Sequence, residues 1–269
     1  MHMRFLSGLM LLTVGLLLAP TPTRAEYVRG EINGWTNIHP MALDTTFGNI
    51  YAVTIPAFTN VSSAGFKFDR DGNWAFAWGL ASGGSNAVKN AQPGQAKYFS
   101  GISTDLSYAN QSNGFYYSFR LEGLTSWWDR PFVVMESSGN PVSIPHVFDS
   151  SPVSSTGAVT TSIQLSAGKS AQESVWVRFS TNSFSTSLLI PAGGSSTNYT
   201  ANLPAQSAGT RAYYYVLTST MPSNVITGNY DLCTLRGKIS GATNYSFRYG
   251  AMEAFHLPAL AEPPGATMR

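Results

Sequence analysis

Residues 65–78, GFKFDRDGNWAFAW, place two runs of alternating apolar and polar residues on either side of the pair Asp71–Gly72. An Asp-Gly pair favours a two-residue type I′ turn, because both central residues of that turn need a positive φ. The turn predicts an antiparallel hairpin in which Asp69 faces Trp74. A loop longer by one residue would change the register and place the tryptophan opposite Phe68 in the core.

The two faces of this predicted hairpin differ in their chemistry. The apolar face, expected to join the core, carries Phe66, Phe68, Ala75 and Ala77. The other face carries Lys67, Asp69, Trp74, Phe76 and Trp78. Charged side chains are rarely buried in a small β-sandwich, so we expect the aromatic rings beside them to be at least partly exposed. Exposed tryptophans beside hydrogen-bonding groups are suited to sugars, whose C–H faces stack on aromatic rings.

The rest of the chain shows further short alternating segments, and its composition is typical of a β-rich protein, with 11% charged and 13% aromatic residues. We therefore predict an all-β fold of two tandem immunoglobulin-like, or early-set, β-sandwiches. The polar stretch Ser137–Pro141 marks the boundary between domains at residues 26–138 and 139–249. Residues 250–269 are rich in Ala and Pro and are expected to form a disordered tail.

Residues 1–25 have the pattern of a secretory signal peptide, in which Arg4 precedes the apolar run Phe5–Ala19 and cleavage is expected after Ala25. The run is shorter than the ~20 residues that span a bilayer. We therefore expect a secreted protein, extracellular or periplasmic, with no membrane span after cleavage. Cleavage removes Arg4 and Arg24, which lowers the formal net charge from +2 to 0. A neutral chain without a basic stripe argues against a nucleic-acid partner.

The carboxylates of the hairpin allow two other interpretations. Asp69, Asp71 and Asn73 imitate the start of a calcium-binding EF-hand loop, but Gly72 comes too early and the twelfth position is Leu80, not glutamate. Two carboxylates on a convex hairpin would not enclose a glycoside substrate or raise the pKa of a catalytic acid by burial. We therefore predict a protein that is not an enzyme and that has no metal or other cofactor.

Three segments resemble a known carbohydrate-binding module: RGEINGW (Arg29–Trp35), GNIYAVTIPA (Gly48–Ala57) and GFKFDRDGNW (Gly65–Trp74). They are similar to the glycogen-binding β-sandwich of AMP-activated kinase β subunits and to the related family 48 carbohydrate-binding modules. This resemblance implies that Trp35, Lys67 and Trp74 contact an α-glucan. The second half, at Ser174–Leu189 and Tyr199–Ser219, resembles immunoglobulin-like modules of secreted bacterial proteins, which act mostly as spacers.

These features predict a secreted carbohydrate-binding protein that recognises a polysaccharide, with a glycogen- or starch-like α-glucan as the expected class. We expect Trp35 and Trp74 to stack on glucose rings, Lys67 to donate hydrogen bonds to hydroxyls, Asp69 to orient the lysine, and Trp78 to extend the platform. The alternative is a structural or adhesive cell-surface protein without glycan specificity. A third hypothesis is a glycoside hydrolase or its accessory, and a glycoside hydrolase or a cell-surface component is a possible partner.

Overall fold

The computed structural model describes residues 26–44, 49–99, 104–123, 128–148, 156–240 and 244–250. The predicted signal peptide lies outside the described residues, and so does the predicted tail after Gly250. Strands dominate the described segments, so the predicted all-β class is confirmed.

The first nine strands form one antiparallel sheet. They are β1 Glu26–Gly30, β2 Pro40–Asp44, β3 Ile50–Pro56, β4 Gly65–Arg70, β5 Phe76–Gly79, β6 Gly94–Phe99, β7 Leu106–Ser107, β8 Tyr116–Glu122 and β9 Asp129–Ser137. Their order is β1-β2-β3-β8-β9-β6-β5-β4-β7, and β1 also pairs with β4. This last pairing closes eight strands into a barrel-like ring. Closure pairs the edge groups that an open sheet would leave exposed.

Inward-facing residues of the ring form an aromatic core. The Phe66 ring lies 5.3 Å from that of Phe68 and 5.1 Å from that of Phe119, both in edge-to-face geometry. Such pairs are the favourable arrangement for aromatic rings. The fully buried members of this core include Val28, Phe66, Phe68, Trp78, Phe119 and Phe132.

The hairpin between β4 and β5 has a longer loop than the sequence predicted. Phe68 pairs with Trp78, and residues 71–75 form the loop. The predicted register, with Asp69 opposite Trp74, was therefore wrong. A change in register moves side chains to different positions and faces, so Trp78 points into the core.

Local hydrogen bonds account for the longer loop. Asp71–Gly72 has the positive φ values expected for an Asp-Gly turn, 72° and 68°, but Trp74 also has a positive φ of 65°. The Trp74 amide donates to the Asp69 carboxylate at 3.1 Å, and the Ala75 amide donates to Asn73 Oδ1 at 2.9 Å. These side-chain acceptors satisfy amides that would otherwise pair across a tight hairpin.

A buried ion pair lies inside the ring. Arg130 Nη1 donates to Glu26 Oε1 at 3.0 Å, and Arg130 Nε donates to the Glu122 carbonyl at 2.8 Å. The side chains of Arg130 and Glu26 are 0% and 2% exposed. The Arg130 guanidinium also lies 4.7 Å from the centroid of the Trp78 ring. Trp78 therefore packs in the interior as the aromatic partner of a buried cation.

The remaining strands form two smaller antiparallel sheets, with orders β10-β11-β15-β14 and β13-β12-β16-β17, and β18 pairs with β16. They are β10 His146–Phe148, β11 Val159–Gln164, β12 Ser174–Ser180, β13 Leu188–Pro191, β14 Gly193–Ser195, β15 Asn198–Leu203, β16 Arg211–Ser219, β17 Arg236–Lys238 and β18 Tyr245–Arg248. Two short helices, α1 Ser223–Ile226 and α2 Tyr230–Cys233, follow β16.

A further apolar cluster joins the ring to the second half of the chain. Ile50 and Val133 of the ring belong to one buried cluster with Leu217 of β16 and Leu232 of α2. The predicted boundary between residues 138 and 139 stays a prediction, and so does the assignment of two immunoglobulin-like sandwiches.

Glu173, which immediately precedes β12, is a buried carboxyl in this second half. Neither of its oxygens forms a hydrogen bond of normal geometry with a described residue, and the residue is 0% exposed. Burial raises the pKa of Glu173, and the nearby Thr218 hydroxyl, Val142 amide and Arg236 counteract only part of that shift. Since the folded state binds this proton more tightly than the unfolded state, ionisation of Glu173 lowers stability as the pH rises.

We expect Glu173→Gln to raise the free energy of unfolding at pH 7 by about 1 to 3 kcal/mol, the usual range for a buried group without a partner. The gain should shrink as the pH falls toward about 4.3, because the unfolded-state carboxyl is then also protonated. Urea unfolding between pH 4 and pH 8 measures both effects, with exposed Glu31→Gln as the control. A gain that is absent at pH 7, or that is constant with pH, would contradict this interpretation of Glu173.

Candidate functional site

Two tryptophans that are distant in the sequence lie side by side on the outside of the ring. Trp35 follows the 3-10 helix Glu31–Asn33, and Trp74 lies in the loop between β4 and β5. Their ring centroids are 6.3 Å apart and their planes are inclined by 42°. Trp74 is 40% exposed and Trp35 is half-buried. The two rings therefore form a tilted aromatic pair that is open to solvent.

The turn that presents Trp35 is built by Asn33 and Gly34. Asn33 Oδ1 accepts from the Gly30 amide at 3.0 Å, and Asn33 Nδ2 donates to the Val28 carbonyl at 2.7 Å. Gly34 has a φ of 61°, a left-handed conformation that favours glycine. The Trp35 amide then donates to the Gly30 carbonyl at 2.9 Å. The spacing Asn-Gly-Trp thus has a structural reason: the first two residues shape the turn that places the third.

Arg29 connects the two tryptophans. Its Nε donates to the Trp35 carbonyl at 3.0 Å, and its Nη1 donates to Asp69 Oδ2 at 2.8 Å and to the Gly72 carbonyl at 3.2 Å. The guanidinium carbon lies 3.8 Å from the centroid of the Trp74 ring. Such stacking is a cation–π interaction. Arg29 therefore fixes the position of both loops and covers part of Trp74.

Asp69 does not orient Lys67, and that prediction was wrong. The Asp69 side chain is 0% exposed and accepts from Arg29 and from the Trp74 amide. Burial raises the pKa of Asp69, whereas the hydrogen bond from Arg29 lowers it. Asp69 instead has a supporting role, because it holds Arg29 and the loop that carries Trp74.

Lys67 lies beside the aromatic rings and pairs with a different carboxylate. Its Nζ donates to Asp105 Oδ1 at 2.6 Å and lies 5.6 Å from the centroid of Trp35 and 5.7 Å from that of Phe99. Arg29, Phe99 and Asp105 were not predicted from the sequence as site residues. We use the name tryptophan surface for the set Trp35, Lys67, Trp74 and Phe99.

Trp78 is not part of the tryptophan surface, so its predicted role in the platform was wrong. It is 0% exposed and contacts the buried Arg130. Phe76, which was also predicted on the outer face, pairs in register with Arg70, whose guanidinium carbon lies 3.8 Å from the Phe76 ring centroid. The five-residue loop changes the pairing of β5 with β4. This change is the physical cause of the wrong predictions for Trp78 and Phe76.

The other carboxylate and amide oxygens of the hairpin have partners within the protein. Asp71 Oδ2 pairs with Arg70 Nε at 3.3 Å, and Asn73 Oδ1 accepts from the Ala75 amide. Within the segments that the structure describes, no group of three His, Cys, Asp or Glu side chains is placed to hold a metal ion. The hairpin oxygens therefore act in the structure of the loop.

Comparisons of this chain with protein-family models, curated proteins and solved structures gave no match. In the described segments, no helix has both the length and the apolar character needed to cross a membrane.

Proposed function

We propose that the tryptophan surface binds a polysaccharide and that its preferred class is an α-glucan of the glycogen or starch type. One observation carries this proposal: Trp35 lies beside Lys67 and Trp74 of the hairpin, a separate segment, with the indole rings 6.3 Å apart and partly open to solvent. Aromatic rings stack on the C–H faces of sugars and polar groups bind the hydroxyls. The resemblance of these residues to glycogen-binding modules supports the same ligand class.

The tilt of the two rings favours a curved glycan. Trp35 and Trp74 are inclined by 42°, so a chain that contacts both rings has to bend between them. α-1,4-Linked glucose chains are curved, whereas β-1,4-linked chains form straight ribbons that suit coplanar rings. Arg29 stacks on Trp74, but Trp74 nevertheless keeps 40% of its surface exposed for a ligand.

Lys67 supplies the polar part of the proposed site. An ammonium group has three donors, so the hydrogen bond to Asp105 leaves donors for sugar hydroxyls. The Asp105 side chain is 43% exposed and offers acceptor oxygens beside the lysine. Lys67 and Asp105 would therefore bind hydroxyls at the rim while the rings bind the sugar faces.

The rest of the chain suits a binding protein. We propose export after signal cleavage, with the second half of the chain, in an immunoglobulin-like fold, as a spacer that holds the binding surface away from a partner. That partner is a glycoside hydrolase or a cell-surface component. In this proposal the protein is not itself catalytic.

We expect Trp35→Ala and Trp74→Ala each to weaken α-glucan binding by about 5- to 30-fold, since each ring contributes ~1–2 kcal/mol. Affinity electrophoresis in native gels with and without glycogen or amylopectin measures this effect. Trp128→Ala is the matched control, because Trp128 is 67% exposed and its ring makes an edge-to-face contact with Tyr98. Circular dichroism establishes that each variant is folded.

Retardation of the wild type and of Trp128→Ala, with loss in the other two variants, supports the proposed site. If Trp128→Ala loses retardation while Trp35→Ala and Trp74→Ala keep it, the site is misplaced. If the wild type migrates unchanged in every α-glucan, the structural or adhesive alternative is favoured.

A further inference from the structure

A cleft of about 540 Å³ lies between the ring and the second half of the chain. Its lining from β2, β3 and β8 comprises Ala42, Leu43, Asp44, Ala52, Val53, Thr54, Ser118, Phe119 and Arg120. The opposite lining comprises Asn140, Leu235, Arg236 and Gly237. The volume is in the range of small-molecule sites.

Small outward-facing side chains create the space. Ala42 pairs with Ala52, and Ala52 pairs with Arg120, so two alanines lie beside one arginine on the outer face of the sheet. On the next strand positions, the hydroxyls of Thr54 and Ser118 are hydrogen-bonded at 2.7 Å. The small side chains of the sheet therefore leave the cleft open on this side, and hydroxyl groups line it.

Arg120 is a buried cation in this cleft. Its side chain is 3% exposed, and its Nη2 donates to Asp44 Oδ2 and to the Asp231 carbonyl, both at 3.0 Å. The Arg120 Nε is also buried and has no hydrogen-bond partner among the described residues. Buried donors are normally satisfied, so the orphaned N–H marks Arg120 as a cation whose hydrogen bonding within the protein is incomplete.

Arg236 adds a second cation from the opposite wall. Its Nη1 donates to the Leu235 carbonyl at 2.9 Å, and it is in no salt bridge of 4 Å or less with a described side chain. Burial lowers the pKa of both Arg120 and Arg236, which means that the surroundings disfavour the two positive charges. Asp44 is the single carboxylate in the cleft lining, and outside the lining the buried Glu173 also favours the positive charge of Arg236.

We infer that this cleft binds an oxyanion, either the carboxylate of a small sugar acid or a free phosphate or sulfate. The planar guanidinium group presents parallel N–H donors that match carboxylate, phosphate and sulfate oxygens. Arg120 would contribute its positive charge, Arg236 its remaining donors, and Asn140 a hydrogen bond to the same ligand. This site is separate from the tryptophan surface and does not depend on the proposed glycan binding.

Isothermal titration calorimetry of the purified protein with sulfate, phosphate and glucuronate tests the inference, with chloride holding the ionic strength constant and glucose as the neutral probe. We expect saturable binding of at least one anion and none of glucose. Preference for glucuronate would assign the sugar acid as the ligand, and preference for sulfate or phosphate would assign the inorganic ion.

Two variants locate the binding. Arg236→Gln should weaken it about tenfold, the effect of one lost charged hydrogen bond. Ala42→Leu should also weaken it, because it fills the cleft without a change in charge. Arg211→Gln, an exposed arginine on β16, and Trp74→Ala should leave it unchanged. The absence of saturable binding for all three anions, or equal losses in Arg236→Gln and Arg211→Gln, would overturn the inference.

Discussion

Arg29→Met is expected to lower the free energy of unfolding by about 3 to 5 kcal/mol, because it leaves the Asp69 carboxylate buried without its cation. Asp69 is 0% exposed and Arg29 is 14% exposed, so water cannot readily replace the lost partner. Methionine keeps the apolar bulk of the arginine stem, and the loss therefore reports mainly on charge and hydrogen bonding. Urea unfolding at pH 7 gives the measurement.

Two comparisons make the Arg29 result specific. Lys97→Met removes a cation from the salt bridge to Asp129, whose side chain is 48% exposed, and should cost at most about 1 kcal/mol. Asp69→Asn added to Arg29→Met should recover part of the loss, because the neutral amide is cheaper to bury. A loss below that of Lys97→Met would show that Asp69 does not depend on Arg29.

The loss of stability in Arg29→Met is expected to depend on pH. Burial raises the pKa of Asp69, so the folded state favours the protonated carboxyl relative to the unfolded chain. Without Arg29 the ionised carboxyl becomes less favourable still. The stability deficit of Arg29→Met should therefore be largest at neutral pH and should shrink as the pH falls and the Asp69 carboxyl becomes protonated in both folded proteins, because the unfolded aspartate is the same in both.

Arg130→Met is expected to have an effect of similar size, about 3 to 5 kcal/mol, because it removes the hydrogen-bonded cation of Glu26. Both side chains are almost completely buried, and Arg130 also contacts the Trp78 ring. Glu26→Gln combined with Arg130→Met should recover much of the loss, since the uncompensated charge is then absent. Urea unfolding of the single and double variants measures the loss of stability and its recovery. Equal losses in the two variants would contradict the role given to the ion pair.

The approach of Lys67 and Trp74 was predictable from local signals, although the predicted register of Trp74 was wrong, whereas the position of Trp35 beside them was implied only by the resemblance to glycogen-binding modules. The Asp-Gly pair correctly indicated a hairpin that reverses the chain between Lys67 and Trp74. Trp74 reaches the surface through a loop, however, and not through strand alternation. Its amide binds Asp69, and this side-chain contact lengthens the loop in a way that turn preferences do not reveal.

The remaining parts of the site depend on contacts between distant segments. Arg29 meets Asp69 only because β1 pairs with β4 and closes the ring, and Asp105 reaches Lys67 from the segment before β7. Trp78 lies inward because the five-residue loop pairs it with Phe68, and its ring there contacts the buried Arg130. Alternation within one hairpin cannot predict such partners, since they are set by the register of the whole sheet.

Isothermal titration calorimetry with maltoheptaose is the most direct test of the proposed α-glucan site. The proposed site predicts saturable binding to the wild type and to Trp128→Ala, and no measurable binding to the folded double variant Trp35→Ala/Trp74→Ala. Absence of saturable binding to the wild type, or undiminished binding to the double variant, would contradict it.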